Sequence, residues 1–380
     1  MPLGDFPFNY TGLLNLTFDG VPRQYKVIFP DASLLAGRHP AIIMLHGNTC
    51  DAASLAWMTN MTQHAPQRGF YLVMPDGVQT PGSKLRSLAR SWNAGTCCGT
   101  AFVNGVDDVG FLSTVVDDLL GRFPIDRDAV FLSGSSNGGS MALRGACELS
   151  DSFAAVALDI ASFEAFDGAQ CAARCTNGTD GYRYCEWDTT APRCSADAFA
   201  EERLPRIYSC EALRRRPLPM LLANGRLDPV ANISGGASYP VDATANGTWF
   251  NTSFPPMDYV TRFLLSAYGC GSASRAISYQ NGTRGNSTTC FSWPRCPTNV
   301  TYCLADAGHK WYGDVADAYA VCRYQGYSDS HCNTTQILED YGPNTESVHL
   351  THEVLNFFAR AMPGEMHARS PPPHPPPPHI

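Results

Sequence analysis

The stretch AVFLSGSSNGGSMAL, residues 129–143, passes from an apolar run through small residues into a second apolar run. The first run is typical of a buried β-strand and the second of a helix, so the glycines lie where a strand turns directly into a helix. Within that turn, Gly134-Ser135-Ser136-Asn137-Gly138 fits the pattern G-x-S-x-G. A turn this tight strains the backbone of its central residue and requires small neighbours. Ser136 is therefore predicted to lie at the tip of a nucleophile elbow.

Strands and helices alternate on both sides of this turn. Continuous apolar runs typical of strands buried on both faces occur at residues 41–47, 70–77, 153–162 and 218–225. Helical patterns separate or follow them at residues 51–69, 106–124 and 351–362. This alternation predicts crossover connections and hence an α/β fold with a mostly parallel central sheet flanked by helices.

Two segments rich in cysteine, asparagine, glycine and threonine interrupt the alternation, at about 167–210 and 281–347. Neither has enough periodic apolar residues for a core of its own, so both are interpreted as disulfide-pinned insertions. The predicted organisation is one domain over residues 1–365. The proline-rich end, residues 366–380, is predicted to be a tail or linker of polyproline II type.

A serine hydroxyl becomes a good nucleophile only when a base takes its proton and a carboxylate orients that base. After an elbow of this kind the expected chain order is serine, acid, histidine. Asp228 follows the strand predicted at 218–225, although Asp-Pro is equally typical of a turn. His309 lies in a loop with glycines on both sides and is the preferred base. Three other histidines lie between Asp228 and the proline tail: His331, His349 and His352.

The negative oxygen formed by nucleophilic attack requires two preorganised amide donors. The amide of Asn137, directly after the predicted nucleophile, is the first candidate. The second is the amide of Asn48, with Thr49 as the fallback, in the loop after an early strand. His46 precedes Ser136 and violates the expected chain order, so a structural role is predicted for it.

Asp107 and Asp108 are adjacent carboxylates at the start of a predicted helix. Paired carboxylates serve glycoside hydrolysis in other proteins, but that reaction would leave the elbow unexplained. A helix-capping role is therefore predicted for both.

Cysteine content and glycosylation motifs indicate an oxidising compartment. The chain has 15 cysteines, mainly between Cys171 and Cys332, and this odd number leaves at least one thiol outside intramolecular pairs. A zinc site built from Cys171, Cys175, Cys185 and Cys194 is the alternative to disulfides, and it is disfavoured. Eleven Asn-x-Ser/Thr motifs predict N-glycans at several of Asn9, Asn15, Asn60, Asn177, Asn232, Asn246, Asn251, Asn281, Asn286, Asn299 and Asn333.

Charge and hydropathy restrict the partners. The net charge of −8 is spread without a basic block, so nucleic acid is not an expected partner. No run approaches the ~20 apolar residues of a membrane span. The opening residues MPLGDFPFNY lack the features of a signal peptide. We therefore predict a secreted protein whose signal peptide is not in this chain, with no metal and no cofactor.

Several motifs together resemble one family: PAIIMLHGNT, YLVMPDGV, SWNAGTCCG, GVDDVGF, LDPV, GHKWYG and THEVLNFFARAM, joined to the elbow. The chain is similar to the secreted esterases that include polyhydroxybutyrate depolymerases, feruloyl esterases and acetylxylan esterases, and are related to the first carbohydrate-esterase family. The resemblance implies an α/β-hydrolase fold and a serine esterase with Ser136, Asp228 and His309 as its triad. It also implies that Trp92 and Asn93 border the substrate, with a core position as the alternative for Trp92.

Three functions are compatible with the sequence. The first is hydrolysis of feruloyl or acetyl esters of polysaccharides, or of hydroxyalkanoate polyesters. The second is a catalytically silent hydrolase fold that serves as a glycosylated extracellular interaction module, with the proline tail as a stalk. A module of that kind has no reason to keep a serine, an acid and a histidine at all three expected places, and all three are present. A serine peptidase is the third hypothesis, and the family resemblance weighs against it.

Overall fold

In a computed structural model of the chain, the centre of the molecule is a ten-stranded β-sheet. The structure describes residues 12–34, 37–79, 90–95, 99–161, 173–177, 183–187, 210–237, 242–243, 248–251, 253–254, 256–280, 287–313 and 343–363. The strand order in the sheet is β1-β2-β4-β3-β7-β8-β11-β18-β17-β16. These ten strands are β1 Gly12–Phe18, β2 Val21–Ile28, β3 His39–Leu45, β4 Tyr71–Pro75, β7 Ile125–Ser135, β8 Ala155–Asp159, β11 Met220–Gly225, β16 Arg275–Gln280, β17 Ser287–Ser292 and β18 Val300–Ala305.

The helices and the smaller strand pairs surround this sheet. The helices are α1 Ala52–Thr59, α2 Met61–Gln67, α3 Gly99–Val103, α4 Asp108–Arg122, α5 Asn137–Glu148, α6 Glu211–Arg215, α7 Met257–Ala267 and α8 Leu350–Ala361. Two 3-10 turns lie at Ala32–Leu34 and Ser150–Ser152. The remaining strands are β5 Val78–Gln79, β6 Arg90–Ser91, β9 Ala173–Asn177, β10 Arg183–Trp187, β12 Gly236–Ala237, β13 Asp242–Ala243, β14 Thr248–Asn251 and β15 Ser253–Phe254.

The six central strands, β4, β3, β7, β8, β11 and β18, pair in parallel, and the strands at both edges pair antiparallel. The carboxyl ends of the parallel strands therefore meet at one edge of the sheet, where α/β folds place their ligand sites. The predicted α/β-hydrolase fold, a mostly parallel sheet flanked by helices, is confirmed.

Helices cover both faces of the sheet because the central strands are apolar on both faces. Alternate residues of a strand face opposite sides, so Phe131 and Leu132 of β7 belong to two different core clusters. Leu132 packs with buried residues of α4, α5 and α7, and Phe131 packs with those of α1, α2 and α8. The helix predicted at 51–69 is divided in two at Asn60, whose φ of 55° is left-handed.

Part of the segment predicted to be an insertion belongs to the sheet itself. Within 281–347, the strands β17 and β18 pair with each other, and β18 pairs in parallel with β11. Burial does not alternate regularly along these strands: β17 has one buried residue, Thr288, and β18 buries two neighbours, Tyr302 and Cys303, so neither strand shows a clear period of two in the sequence. The other insertion, about 167–210, lies largely outside the described residues, as does the tail from residue 364, and the single-domain organisation stays a prediction.

The described residues contain three disulfides, as the cysteine content predicts. Cys147–Cys210 joins the end of α5 to the residue before α6, Cys290–Cys303 joins the paired strands β17 and β18, and Cys270–Cys296 closes a loop near them. These bridges fit an oxidising compartment.

Removing the Cys147–Cys210 bridge is expected to destabilise the protein by about 2–5 kcal/mol, because the bridge restricts the unfolded chain across a 63-residue separation. The measurement is the free energy of unfolding in urea for the Cys147→Ala/Cys210→Ala double variant and the wild type. When all disulfides are reduced, the variant and the wild type should have similar free energies of unfolding. Equal free energies without reductant would contradict the prediction.

Candidate active site

The turn between β7 and α5 has the strained geometry predicted for it. Ser136 has φ 56° and ψ −124°, a conformation that residues with a side chain rarely adopt. A Cβ added at Gly134 would lie 2.2 Å from the carbonyl oxygen of Gly138, and one added at Gly138 would lie 2.2 Å from that of Leu45. The two glycines are thus required by the packing of β7, α5 and β3 around Ser136.

Ser136, His309 and Asp228 form one hydrogen-bonded chain at the carboxyl edge of the sheet. The Nε2 atom of His309 lies 2.8 Å from Ser136 Oγ, and its Nδ1 atom lies 2.8 Å from Asp228 Oδ2. An ionised carboxylate only accepts hydrogen bonds, so Nδ1 carries the hydrogen and Nε2 accepts the hydroxyl hydrogen of Ser136. Ser136 follows β7, His309 follows β18 and Asp228 follows β11. Because these strands run parallel, the loops at their carboxyl ends lie close together, although Ser136 and His309 are 173 residues apart in the chain.

Asp228 is held in place and kept ionised by its surroundings. Its Oδ1 accepts hydrogen bonds from the amides of Val230 at 2.7 Å and Ala231 at 2.8 Å, which leaves Oδ2 for His309. Burial by itself raises the pKa of Asp228, but the charge and hydrogen bond of His309 and the two amides outweigh it and hold that pKa below its usual value. The Asp-Pro sequence, which is also typical of a turn, therefore places the Asp228 carboxylate against the imidazole of His309.

The two predicted amide donors belong to segments that adjoin Ser136 in the fold. Asn137 is the first residue of α5, where amides have no partner within the helix and the helix dipole is positive. The loop after β3 touches the serine from the other side, since a Cβ added at Gly47 would lie 3.4 Å from Ser136 Cβ. The amide of Thr49, the fallback donor, already donates to the Arg90 carbonyl at 3.0 Å, which favours Asn48.

The expectation that Trp92 borders the substrate is corrected by its burial. Its side chain is fully buried, stacks near Phe111 and donates from Nε1 to the His46 carbonyl at 2.9 Å. Its backbone amide and carbonyl exchange hydrogen bonds of 2.8 and 3.0 Å with the side chain of Asn137. Trp92 is therefore the core residue of the alternative interpretation, and it holds Asn137 in place.

Asn93 is half-buried, and its polar groups serve the protein itself. The side chain donates to the Val106 carbonyl at 2.9 Å and accepts from the Gly95 amide at 3.3 Å. The backbone amide donates to Asp108 Oδ2, and the carbonyl accepts from Arg144. These contacts organise the SWN segment, and a role of Asn93 toward substrate stays a prediction.

The other candidate histidines lie elsewhere or have structural contacts. His46 is fully buried, donates from Nδ1 to the Gly47 carbonyl at 2.7 Å and accepts from the Gly77 amide at 2.9 Å. Burial lowers its pKa, so it is a neutral structural residue, as predicted. His349 and His352 lie at the start of α8, where His352 packs against His64, and His331 lies outside the described residues.

Asp107 takes the helix-capping role that was predicted for both adjacent carboxylates, whereas Asp108 has a different structural role. Asp107 caps α4 by accepting from the Gly110 amide at 2.8 Å. Asp108 is fully buried in an ion pair with Arg23 at 2.8 Å, and burial raises its pKa despite that charge. Arg23 also lies over the Phe111 ring, so this pair anchors the SWN segment to the core.

Sequence reasoning missed one carboxyl group directly beneath the elbow. Asp159 ends β8, and its Oδ2 atom accepts a hydrogen bond from Ser135 Oγ at 2.7 Å. The signal for it was present in the sequence, since Asp159 is the one charged residue in the otherwise apolar run FAAVALDIAS.

Comparison with known proteins finds a family similar to the first part of the chain. A family model described as "Esterase PHB depolymerase" matches residues 24–178, which include the elbow. Residues 24–178 are therefore similar to this esterase family. The match confirms the family resemblance seen in the sequence.

Individual relatives of the esterase region cover less of the chain. Feruloyl esterase B of Piromyces equi is 28% identical over 152 residues, 39% of this chain and 26% of that protein. NocK of Nocardia uniformis subsp. tsuyamanensis, named as an esterase, is 32% identical over 139 residues, 36% of this chain and 38% of NocK. The match thus spans well under half the length of both relatives. Among solved structures, an acetyl xylan esterase from Aspergillus awamori has a TM-score of 0.48 at 16% identity, over 83% of this chain and 100% of that one.

Two further observations bear on metals and membranes. Within the described ranges, no group of three or more histidine, cysteine, aspartate or glutamate side chains is arranged to hold a metal ion. None of the helices in the described part of the chain is long and apolar enough to cross a membrane.

Proposed function

We propose that the protein is a serine esterase that hydrolyses carboxylic esters through an acyl-enzyme. The proposal rests above all on the hydrogen-bonded chain from Ser136 through His309 to Asp228, at the strained turn after β7. The similarity of residues 24–178 to an esterase family supports it. The catalytic acid, base and nucleophile proposed are thus the residues that the sequence predicted.

The reaction follows from the atoms in place. Ser136 Oγ attacks the ester carbonyl carbon while its proton passes to Nε2 of His309, and Asp228 stabilises the imidazolium that forms. The carbonyl oxygen becomes negative and accepts hydrogen bonds from the amides of Asn137 and Asn48. When the tetrahedral intermediate collapses, the bond to the alcohol breaks and His309 returns its proton to the alcohol oxygen. Water then attacks the acyl-serine by the same route, with His309 as base, and releases the carboxylic acid.

We infer an extracellular enzyme whose substrates are feruloyl or acetyl esters of polysaccharides, or hydroxyalkanoate polyesters. The relative named feruloyl esterase and the family named for polyhydroxybutyrate depolymerases support these two substrate classes. The three disulfides and the eleven glycosylation motifs support the secretory route. Glycans at these asparagines and a polysaccharide partner are part of the proposal.

A fluorophosphonate probe tests the function directly, because it reacts covalently with an activated serine. The purified, folded protein should be labelled at the peptide that contains Ser136, as identified by mass spectrometry. Initial rates with p-nitrophenyl acetate, methyl ferulate and hydroxybutyrate oligomers then separate the substrate classes. Absence of labelling in folded protein would contradict the esterase and favour the catalytically silent interaction module.

Activity should fall as the pH decreases, because a protonated imidazole cannot take the proton of Ser136. The low pKa of Asp228 keeps that carboxylate charged well into the acidic range, so loss of its charge should not contribute near neutrality. We therefore expect a single acid limb in kcat/KM that reports protonation of the base. A profile that stays flat from pH 5 to pH 8 would exclude an imidazole base.

A further inference from the structure

The strand next to the elbow contributes to the conformation of Ser136. Asp159, the last residue of β8, lies opposite Ser135 in the parallel pairing of β7 and β8. Its carbonyl oxygen accepts a hydrogen bond from the Ser136 amide at 2.9 Å, and a Cβ added at Gly139 would come within 2.5 Å of the same oxygen. The backbone of Asp159 thus borders the turn that holds Ser136 in its strained conformation.

The side chain of Asp159 makes a second contact with the elbow. It is 1% exposed, and Oδ2 accepts the hydroxyl hydrogen of Ser135 at 2.7 Å. The Oδ1 atom is buried, and among the described residues it has no hydrogen-bond partner. The following residue, Ile160, has φ 52°, which is unfavourable for a β-branched side chain and is maintained by a 2.7 Å hydrogen bond to the Ala223 carbonyl.

The charges around Asp159 disfavour its ionised form. No lysine, arginine or histidine of the described residues forms an ion pair with it. Burial raises its pKa well above the usual value, the Ser135 hydroxyl lowers it, and the negative charge of Asp228 raises it further. Burial raises the pKa of Tyr312, on the loop after His309, and the negative charges of Asp159 and of Glu353 in α8 raise it further. None of these groups supplies a positive charge.

We propose that Asp159 is a positioning residue that fixes the elbow and thereby the nucleophile Ser136. It acts through two contacts: the side chain holds Ser135, and the carbonyl holds the amide of Ser136. A carboxylate in the same place would put a buried negative charge near Asp228 and near the developing oxyanion. The role rests on the proposed esterase function and adds a residue to it.

Five proteins test the positioning role: wild type, Asp159→Asn, Asp159→Ala, Ser135→Ala and Ser133→Ala. Ser133 is the matched control, since it is buried two residues earlier in the same strand and its hydroxyl has no hydrogen-bond partner among the described residues. At neutral pH, we expect Ser135→Ala and Asp159→Ala to lose about tenfold or more in kcat for p-nitrophenyl acetate, with little change in KM, because a displaced nucleophile slows chemistry. Asp159→Asn, which can still accept from Ser135, should stay within about threefold of the wild type.

Thermal unfolding tests the protonation state separately from catalysis. An aspartate in the unfolded chain ionises near pH 3.9, whereas native Asp159 keeps its proton, so the wild type loses stability as the pH rises above that value. Asparagine has no such titration. The Tm of Asp159→Asn minus that of the wild type should therefore increase steadily from pH 4 toward neutrality.

Three results would overturn the proposal. If Ser135→Ala has the same kinetics as Ser133→Ala, the hydrogen bond between Ser135 and Asp159 does not position the nucleophile. This comparison tests the hydrogen bond even if the Asp159 variants do not fold. Loss of activity in Asp159→Asn as great as in Asp159→Ala, or a Tm difference that is constant with pH, would mean that the carboxyl group is ionised. A folded wild type that no fluorophosphonate labels would instead refute the esterase function, and the positioning role with it.

Discussion

Replacing Ser136 with alanine is expected to reduce kcat on the order of 10⁶-fold and to abolish labelling by a fluorophosphonate. The substitution removes the attacking oxygen but leaves the Asn137 amide at the start of α5 and the loop after β3 in place. The variant should therefore retain only the weak catalysis that amide donors and binding provide without a nucleophile. The measurement is single-turnover hydrolysis of p-nitrophenyl acetate at neutral pH, together with the labelling reaction.

The matched control for this substitution is Ser133→Ala. It removes a buried hydroxyl from the strand that leads into the elbow, and this hydroxyl has no hydrogen-bond partner among the described residues. Ser133→Ala should keep wild-type kinetics. If folded Ser136→Ala still hydrolyses any of these esters at close to the wild-type rate, Ser136 is not the nucleophile.

Replacing Asp228 with asparagine is expected to lower kcat about 10⁴-fold with little change in the fold. The amide oxygen can still accept from Val230 and Ala231, but the amide nitrogen then faces Nδ1 of His309. A donor in that place stabilises the tautomer with hydrogen on Nε2, which cannot accept the proton of Ser136. The loss should appear mainly in kcat rather than in KM.

Asp151→Asn is the control, because Asp151 is an exposed carboxylate in the 3-10 turn after α5 and the change in net charge is the same. Its kinetics should match the wild type. Full activity of Asp228→Asn would assign the orienting acid to another residue.

Much of the framework could be predicted from local patterns. Continuous apolar runs predicted the strands β3, β4, β7, β8 and β11. A strand that is buried on both faces consists almost entirely of apolar residues, so it can be recognised from composition alone. The pattern failed at β17 and β18, where partly exposed positions and a disulfide pair resemble an insertion. The role of Trp92 was also misjudged, since its burial depends on α4 and on Arg23 far away in the chain.

What the sequence by itself determined was the local chemistry: a serine in a glycine-lined turn between a strand and a helix, an acid after a strand and a histidine in a glycine-bounded loop. Only the tertiary structure decided that these groups meet, and that Asp159 lies beneath them. The reason is that the distance between β7, β8, β11 and β18 is set by their order in the sheet. Periodicity along the chain reports which face of an element is buried, but it carries no information about which strand becomes its neighbour.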